Sequence, residues 1–193
     1  MKRTVNASVV VFAVLTGFGV AHAAPATYAI DPTHTFVTFE AKHFGTSTNR
    51  GRFDKKSGTV TLDKVAKTGS VDITLDMASI NTGTANFDGH LKGKDFFNAE
   101  VFPTATFVSD KVIFEGDKVS AVVGTLTLLG KGQTVTLSAL NYGCYQNPML
   151  KREVCGGDFD TTIQRSKFGM DYGLAYGIPN DIKLVIQIEA VKQ

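Results

Sequence analysis

The 193-residue sequence has no tryptophan, only two cysteines and none of the common signatures of hydrolases or nucleotide-binding proteins. A Gly-x-Ser-x-Gly elbow, a His-Glu-x-x-His zinc motif and a Gly-x-x-x-x-Gly-Lys-Ser/Thr loop are all missing. Two cysteines cannot form a four-thiolate zinc site by themselves. The sequence therefore carries no positive sign of catalysis, whereas its apolar content is high and includes 14 phenylalanines.

Long apolar runs are also missing. One apolar stretch, from about residue 9 to residue 20, is shorter than the roughly 20 residues that span a bilayer. It follows Lys2 and Arg3 and precedes Ala21-His22-Ala23, which is the pattern of a cleavable secretory signal. We therefore predict a signal peptide over residues 1–23 and one exported, periplasmic domain over residues 24–193.

Neither sign of charge is in excess once the predicted signal peptide is removed. Loss of Lys2 and Arg3 reduces the 20 basic residues to 18, equal to the 18 acidic residues. A nucleic-acid-binding protein normally has a clear basic surplus. The charge balance therefore argues against nucleic acid as a partner.

The two cysteines, Cys144 and Cys155, have ten residues between them. A metal clip, a redox pair and a disulfide across a loop are the alternatives. Export favours the disulfide, because such bonds persist in oxidising compartments and an even pair in an exported domain normally forms one. We predict that this bond closes a projecting loop that carries Pro148, Met149 and Leu150.

Alternation of apolar and polar residues is the dominant pattern along the chain, and it predicts strands with one buried face. Residues 70–77 show it most clearly, with Val71, Ile73 and Leu75 on one face. One short helix is predicted within residues 84–97, and tight turns separate most of the strands. The fold class is therefore all-β, as an antiparallel barrel or sandwich. Strands are predicted over residues 35–43, 59–63, 70–77, 104–109, 111–115, 118–129, 133–141, 158–165 and 182–191.

Periodicity does not reveal what fills such a barrel. An eight-stranded barrel is either filled by its own side chains or holds one ligand. The three histidines of the exported domain, His34, His43 and His90, come from separate segments, so no metal site is predicted from them. Asp158 and Asp160 precede Arg165 and could pair with it, which would be a structural ion pair.

Several segments together resemble the YceI-like family of bacterial polyisoprenoid-binding proteins. The segment FDGHLKGKDFFNAEVFPTATFVS matches the most diagnostic part of the family, and GTLTLLGKGQTVTL, TTIQRSKFGMDYG and IKLVIQIEAVKQ agree as well. Near the start of the domain, the matching residues are Asp31, His34, Phe39, His43, Thr46 and Gly51-Arg52-Phe53.

The resemblance implies a lipocalin-like antiparallel β-barrel of about eight strands with a short helix. It also implies binding of a long isoprenoid lipid, such as ubiquinone or another polyprenyl quinone or polyprenyl phosphate. No catalytic residue and no cofactor are implied, so the protein is predicted not to be an enzyme. The alternative is an enzyme or redox accessory that acts on the quinone head group.

The sequence departs from the family pattern at two places. Leu129 stands where the family often has a histidine, so no role is transferred to that turn. The segment from Cys144 to Cys155 resembles a feature of a quinone-binding branch of the family.

Ligand contacts are predicted from the inward members of the strands, with His43, His90 and Arg165 as polar groups near the opening. The predicted partner is an isoprenoid lipid or quinone, and transient membrane contact and a homodimer stay open as further partners. The predicted ligand-binding residues are Phe39, His43, Val60, Ile73, Leu75, His90, Phe107, Leu126, Leu137, Ile163, Arg165, Phe168, Met170, Leu184 and Ile186.

Overall fold

Most of the chain is extended, as the alternation predicts. The computed structural model describes residues 24–193, so the predicted signal peptide lies outside the described residues. This part of the chain contains one α-helix, α1 (Ala85–Lys92), and eleven strands. The strands are β1 Ala26–Ile30, β2 Phe36–His43, β3 Ser47–Phe53, β4 Lys56–Asp63, β5 Thr68–Asp76, β6 Ile80–Asn81, β7 Thr104–Glu115, β8 Lys118–Leu128, β9 Lys131–Asn147, β10 Arg152–Gln164 and β11 Asp181–Lys192.

Eight of these strands close into an antiparallel barrel in the order β1, β4, β5, β7, β8, β9, β10, β11, and β11 pairs again with β1. At the closing pair, Ala29 lies opposite Val191. The other half of β11 pairs with β2, where Leu184 lies opposite Phe39, and β3 and β6 continue from β2. The predicted all-β, lipocalin-like barrel of about eight strands is confirmed.

Strands β1 and β2 are two parts of one wall, separated by a bend at residues 31–35. Asp31 fixes the bend, because its carboxylate accepts hydrogen bonds from the backbone N–H and the hydroxyl of Thr33. The buried Thr35 hydroxyl donates to the Glu189 carbonyl. The bend therefore lets β11 pair with both strands in turn.

The bounds of strands and of the helix differ from the prediction where the side chains show little alternation of apolar and polar residues. Strand β3, with the sequence STNRGRF, is mostly polar and was not predicted. Strand β7 is one strand with a register shift between Val108 and Lys111, where two separate strands were predicted. Helix α1 occupies only part of the predicted segment. It ends at Lys92, and the backbone N–H of the following residue, Gly93, bonds to the His90 carbonyl.

The prediction of a projecting loop between the cysteines is wrong, although the disulfide is present. Strands β9 and β10 continue past it, so that Cys144 and Cys155 face each other as direct partners in a long hairpin. Their Cα atoms are 4.1 Å apart, the close spacing of a non-hydrogen-bonded antiparallel pair. The disulfide therefore joins two paired strands, and only the tip at residues 148–151 is a turn.

The two ends of the barrel differ in construction. The hairpins β4–β5, β7–β8 and β9–β10 turn at one end, which we call the narrow end. The opposite end, which we call the mouth, carries the β2–β3 turn, α1 and residues 165–181 between β10 and β11. No helix of the described chain has both the length and the apolar character needed to cross a membrane.

Candidate functional site

Two adjoining cavities occupy the inside of the barrel. The lower cavity, toward the narrow end, has a volume of about 130 Å³. The upper cavity, toward the mouth, has a volume of about 390 Å³. Four residues from four strands, Val37, Leu75, Leu126 and Leu184, belong to the walls of both cavities. The two cavities are therefore sections of one interior that meet at this shared ring.

The lower cavity is lined almost entirely by aliphatic and aromatic side chains. Tyr28, at its narrow end, is 1% exposed and donates a 2.5 Å hydrogen bond to the Glu153 carboxylate. Burial, and then the bond to Glu153, raise the pKa of the Tyr28 phenol above its ordinary value. Lys64 pairs with the same carboxylate at 2.8 Å. The polar atom of Tyr28 is thus satisfied at the barrel end, and its ring faces the cavity.

The upper cavity is lined by a cluster of phenylalanines and reaches the surface at exposed residues of the mouth. The ring centroids of Phe53 and Phe97 are 5.6 Å apart, and Phe39 lies 6.3 Å from Phe53. These rings meet at tilted or edge-on angles, which aromatic pairs favour. The wall then continues outward to the exposed residues Lys42 and His43.

Aromatic stacking positions the second histidine of the mouth. The His90 ring, on α1, lies 4.9 Å from the Phe96 ring and 5.6 Å from the Tyr172 ring. Phe96 and Tyr172 are themselves 5.3 Å apart, so the three rings form one cluster between α1 and the 165–181 segment. All three residues line the upper cavity. The mouth therefore combines imidazole groups with an apolar aromatic edge.

The buried Arg165 side chain holds one segment of the mouth through hydrogen bonds. Arg165 is 3% exposed, and its guanidinium donates to the carbonyls of Pro179, Met170 and Tyr172 at 2.8–2.9 Å. Burial lowers the pKa of Arg165, against the opposing effect of Asp171. Because arginine stays charged in proteins, one buried cation holds the 165–181 segment through backbone carbonyls.

The suggested ion pair of Arg165 with Asp158 or Asp160 is not formed. Asp160 pairs with Lys183 at 3.1 Å, and the Asp158 carboxylate accepts a bond from the Asn141 amide. Both aspartates lie on β10, so their distance from Arg165 follows from the extended strand.

Every residue predicted as a ligand contact lies in the wall of one or both cavities. Phe39, His43, His90, Ile163, Arg165, Phe168 and Met170 line the upper cavity. Val60, Ile73, Phe107, Leu137 and Ile186 line the lower cavity, and Leu75, Leu126 and Leu184 line both.

Most of the wall residues left out of the predicted ligand contacts lie on the strands, as Val37 and Leu62 do, and the aromatic residues among them include Phe96, Tyr172 and Tyr28. Phe96 and Tyr172 lie outside regular strands, and Tyr28 lies on the five-residue β1. The resemblance had pointed to Phe96 without assigning it to the cavity wall. Tyr172 carries no periodic signal, since the 165–181 segment consists of short 3₁₀ turns and glycine-rich bends.

The described residues bring no three free metal ligands together. Cys144, Glu153 and Cys155 lie close to one another, but the two sulfurs are bonded to each other, so thiolate ligands are not available. His34 lies on the β1–β2 bend and contacts Asp31 at 2.8 Å.

Known proteins resemble this chain over nearly the whole barrel domain. The YceI-like domain profile matches residues 28–190. The chain belongs to the YceI-like family. A UPF0312 protein from Pseudomonas aeruginosa is 33% identical over 198 residues, which cover 100% of both chains.

Two solved structures have the same fold as this YceI-like protein. The crystal structure of BcnA from Burkholderia cenocepacia matches with a TM-score of 0.69 and 28% identity, over 83% of this chain and 99% of that one. A polyisoprenoid binding domain from Saccharophagus degradans matches with a TM-score of 0.62, over 87% of this chain and 99% of that one. At 17% identity, this second match shows the fold alone.

Proposed function

We propose that the protein is a periplasmic carrier that holds the tail of one long isoprenoid lipid inside the barrel. A polyprenyl quinone such as ubiquinone, or a polyprenyl phosphate, has the required form. The observation that carries the proposal is the apolar interior, in which two cavities share the ring of Val37, Leu75, Leu126 and Leu184 and open toward a polar mouth. The polyisoprenoid binding domain that shares this fold is consistent with such a ligand.

The length of an isoprenoid tail supplies the binding free energy. Each buried CH₂ group contributes roughly 0.8 kcal/mol, and association costs about 4–15 kcal/mol in translational and rotational freedom. Burial of several isoprene units therefore contributes more binding free energy than association costs, without any polar contact.

The head group would lie at the mouth. Lys42, His43 and His90 are exposed there and line the upper cavity. Their N–H groups can donate to a quinone carbonyl or to a phosphate oxygen. We assign selectivity for the head group to these three residues and affinity to the tail.

The proposed periplasmic location agrees with the disulfide and with the signal peptide expected from residues 1–23. A disulfide such as Cys144–Cys155 persists in an oxidising compartment and is rare in the cytosol.

Binding to delipidated protein tests the proposal. Protein freed of lipid by solvent extraction and refolded is titrated with prenols of increasing length and with polyprenyl quinones. Saturable binding of one ligand per chain, tightening with each added isoprene unit, is the expected result. Affinity independent of tail length would contradict it. Turnover of a quinone head group by substoichiometric protein would instead support the alternative of an enzyme or redox accessory.

A further inference from the structure

Two aromatic side chains are exposed at the mouth, although neither lines the cavity. Phe44 is 57% exposed and Tyr176 is 80% exposed. They come from the β2–β3 turn and from the 3₁₀ turn Leu174–Tyr176. We call Phe44 and Tyr176 the rim patch.

The rim patch is joined to the cavity wall. A methyl group placed on Gly177, the neighbour of Tyr176, would lie 3.9 Å from Cδ1 of Phe44, so the two turns lie side by side at the mouth. The Phe44 ring packs edge-on against His43 at 4.8 Å, and His43 lines the upper cavity together with Ile178. The rim patch therefore lies directly beside the wall of the upper cavity.

Phe44 has a backbone conformation that is uncommon for a bulky residue. Phe44 and Gly45 have φ values of 48° and 73°, and the Thr46 N–H bonds to the His43 carbonyl, the pattern of a type I′ turn. Asparagine, aspartate or glycine normally occupies the first central position of this turn, and positive φ is uncommon for a bulky residue. Leu129 in the β8–β9 turn, also at the mouth, and Lys67 and Lys151 in turns of the narrow end lie in the same backbone region.

The two segments of the rim patch carry one cation and no carboxylate. Residues 41–49 contain Lys42 and no acidic residue, and residues 172–180 contain no charged residue, although the exposed Asp171 and Asp181 flank the second segment. Exposed aromatic rings beside a cation are typical of proteins that lie at the membrane interface, where the rings enter the head-group region and cations meet anionic lipids.

We propose that the rim patch docks the mouth onto a lipid bilayer that contains anionic lipids. The inference rests on the proposed function, because an isoprenoid tail resides in a bilayer before and after transport. Docking would place the mouth beside the acyl region, so that the tail has a shorter path through water between bilayer and barrel.

The test uses full-length mature protein and vesicles of phosphatidylethanolamine and phosphatidylglycerol in equal amounts. Flotation of ligand-free protein measures docking, and transfer of a fluorescent prenyl lipid between vesicles measures exchange. The double variant Phe44→Ser with Tyr176→Ser is compared with Met149→Ser, which alters an 86% exposed apolar residue at the narrow end. Neither rim residue lines a cavity, so equilibrium binding of the ligand should stay unchanged.

The rim variant should lose flotation and transfer lipid at least about tenfold more slowly, since partial burial of one aromatic side chain changes partition by that factor. Met149→Ser should behave as the parent protein. Parent-like transfer by the rim variant, or loss confined to Met149→Ser, would overturn the inference. So would a parent protein that binds ligand but never floats, which would leave a protein partner as the occupant of the patch. A parent protein that floats but binds no isoprenoid would instead contradict the proposed function.

Discussion

The ring of Phe39 lies directly over Gly51, its partner on the neighbouring strand. Phe39 on β2 and Gly51 on β3 are opposite in register, and a methyl group on Gly51 would fall 2.5 Å from Cζ of Phe39. The missing side chain at Gly51 therefore lets the ring lie along the wall of the upper cavity instead of across it.

Gly51→Ala should push the Phe39 ring into the upper cavity and weaken binding of long tails. The clash is with side-chain atoms, so the ring can move, at a cost of roughly 1–3 kcal/mol in stability. Titration with a prenyl quinone and thermal unfolding measure the two effects. Gly143→Ala is the matched control, because a methyl group on Gly143 meets nothing within 4 Å. Equal affinities of the two variants would contradict this role of Gly51.

Leu126→Trp should block the ring that both cavities share. Leu126 is 8% exposed and belongs to both walls, so an indole there would separate the lower cavity from the mouth. We expect affinity for long tails to fall at least about tenfold, or 1.4 kcal/mol, and affinity for short tails to change less. The protein has no other tryptophan, so indole fluorescence reports folding and ligand contact directly.

Thr125→Trp is the control for that change, since Thr125 is the adjacent and exposed residue on β8. Successive side chains of a strand point to opposite faces, so this indole should lie outside the barrel. If folded Leu126→Trp bound long tails as tightly as the parent protein, Leu126 would not belong to the binding site.

Arg165→Met should loosen the mouth while leaving the barrel closed. The change removes the donors to the Pro179, Met170 and Tyr172 carbonyls, at an expected cost of roughly 2–4 kcal/mol. Hydrogen exchange followed by mass spectrometry should show faster exchange within residues 166–180 and little change in the β7–β8 hairpin. Arg165→Lys keeps the charge but not the fork of donors, so it should recover only part of the protection. Uniform loss of protection over the whole barrel would argue against this local role.

Replacement of both cysteines by alanine should lower the free energy of unfolding by roughly 3 kcal/mol, the value expected for closing a loop of this length. Denaturant unfolding of the variant and of the reduced parent protein should agree. Lipid transfer should change little, because the β9–β10 tip lies at the end opposite the mouth. Alanine is chosen because Cys155 is buried and lines the lower cavity. If the variant stayed folded but lost most of its lipid transfer, the hairpin would have a functional role.

The bend at Asp31 should make stability depend on pH. Burial opposes ionisation of Asp31, but bonds from His34 and Thr33 prevail and lower its pKa to about 2. The same contact raises the pKa of His34. A lowered acid pKa stabilises the fold above the unfolded value of about 4 and loses this effect as pH falls toward 2. The raised His34 pKa stabilises the fold below about 6.5 and loses its effect at higher pH.

Asp31→Asn should therefore lower the melting temperature most between about pH 4 and pH 6.5, where both contributions are present. The difference from the parent protein should shrink toward pH 2. Glu115→Gln, at an exposed position of β7, serves as the control in the same series. A constant difference across the pH range would contradict the assigned cause.

The strands and the inward residues were predictable because alternation is a local property. Ile73, Leu126 and Leu184 follow it and lie where it places them. Periodicity could not show that they surround a cavity, since a filled core needs the same pattern. The resemblance to the YceI-like family, rather than the alternation, pointed to the cavity.

Other features depend on contacts between distant segments. The pairing of Cys144 with Cys155 was predictable from the expected export of the protein and from the presence of just two cysteines. The long hairpin was not predictable, because Asn141, Gly143 and Asn147 interrupt the apolar pattern. The role of Arg165 depends on carbonyls up to 14 residues away, which no local pattern encodes. The approach of Phe44 to the turn that carries Tyr176 likewise appears only in the folded chain.

Identification of the bound lipid tests the central claim most directly. Protein purified from its native host without strong detergent is extracted with organic solvent, and the extract is analysed by mass spectrometry beside that of Leu126→Trp. We expect close to one isoprenoid lipid per chain in the parent protein and clearly less in the variant. An extract without prenyl lipid, or with the same lipids in both proteins, would contradict an isoprenoid-binding cavity.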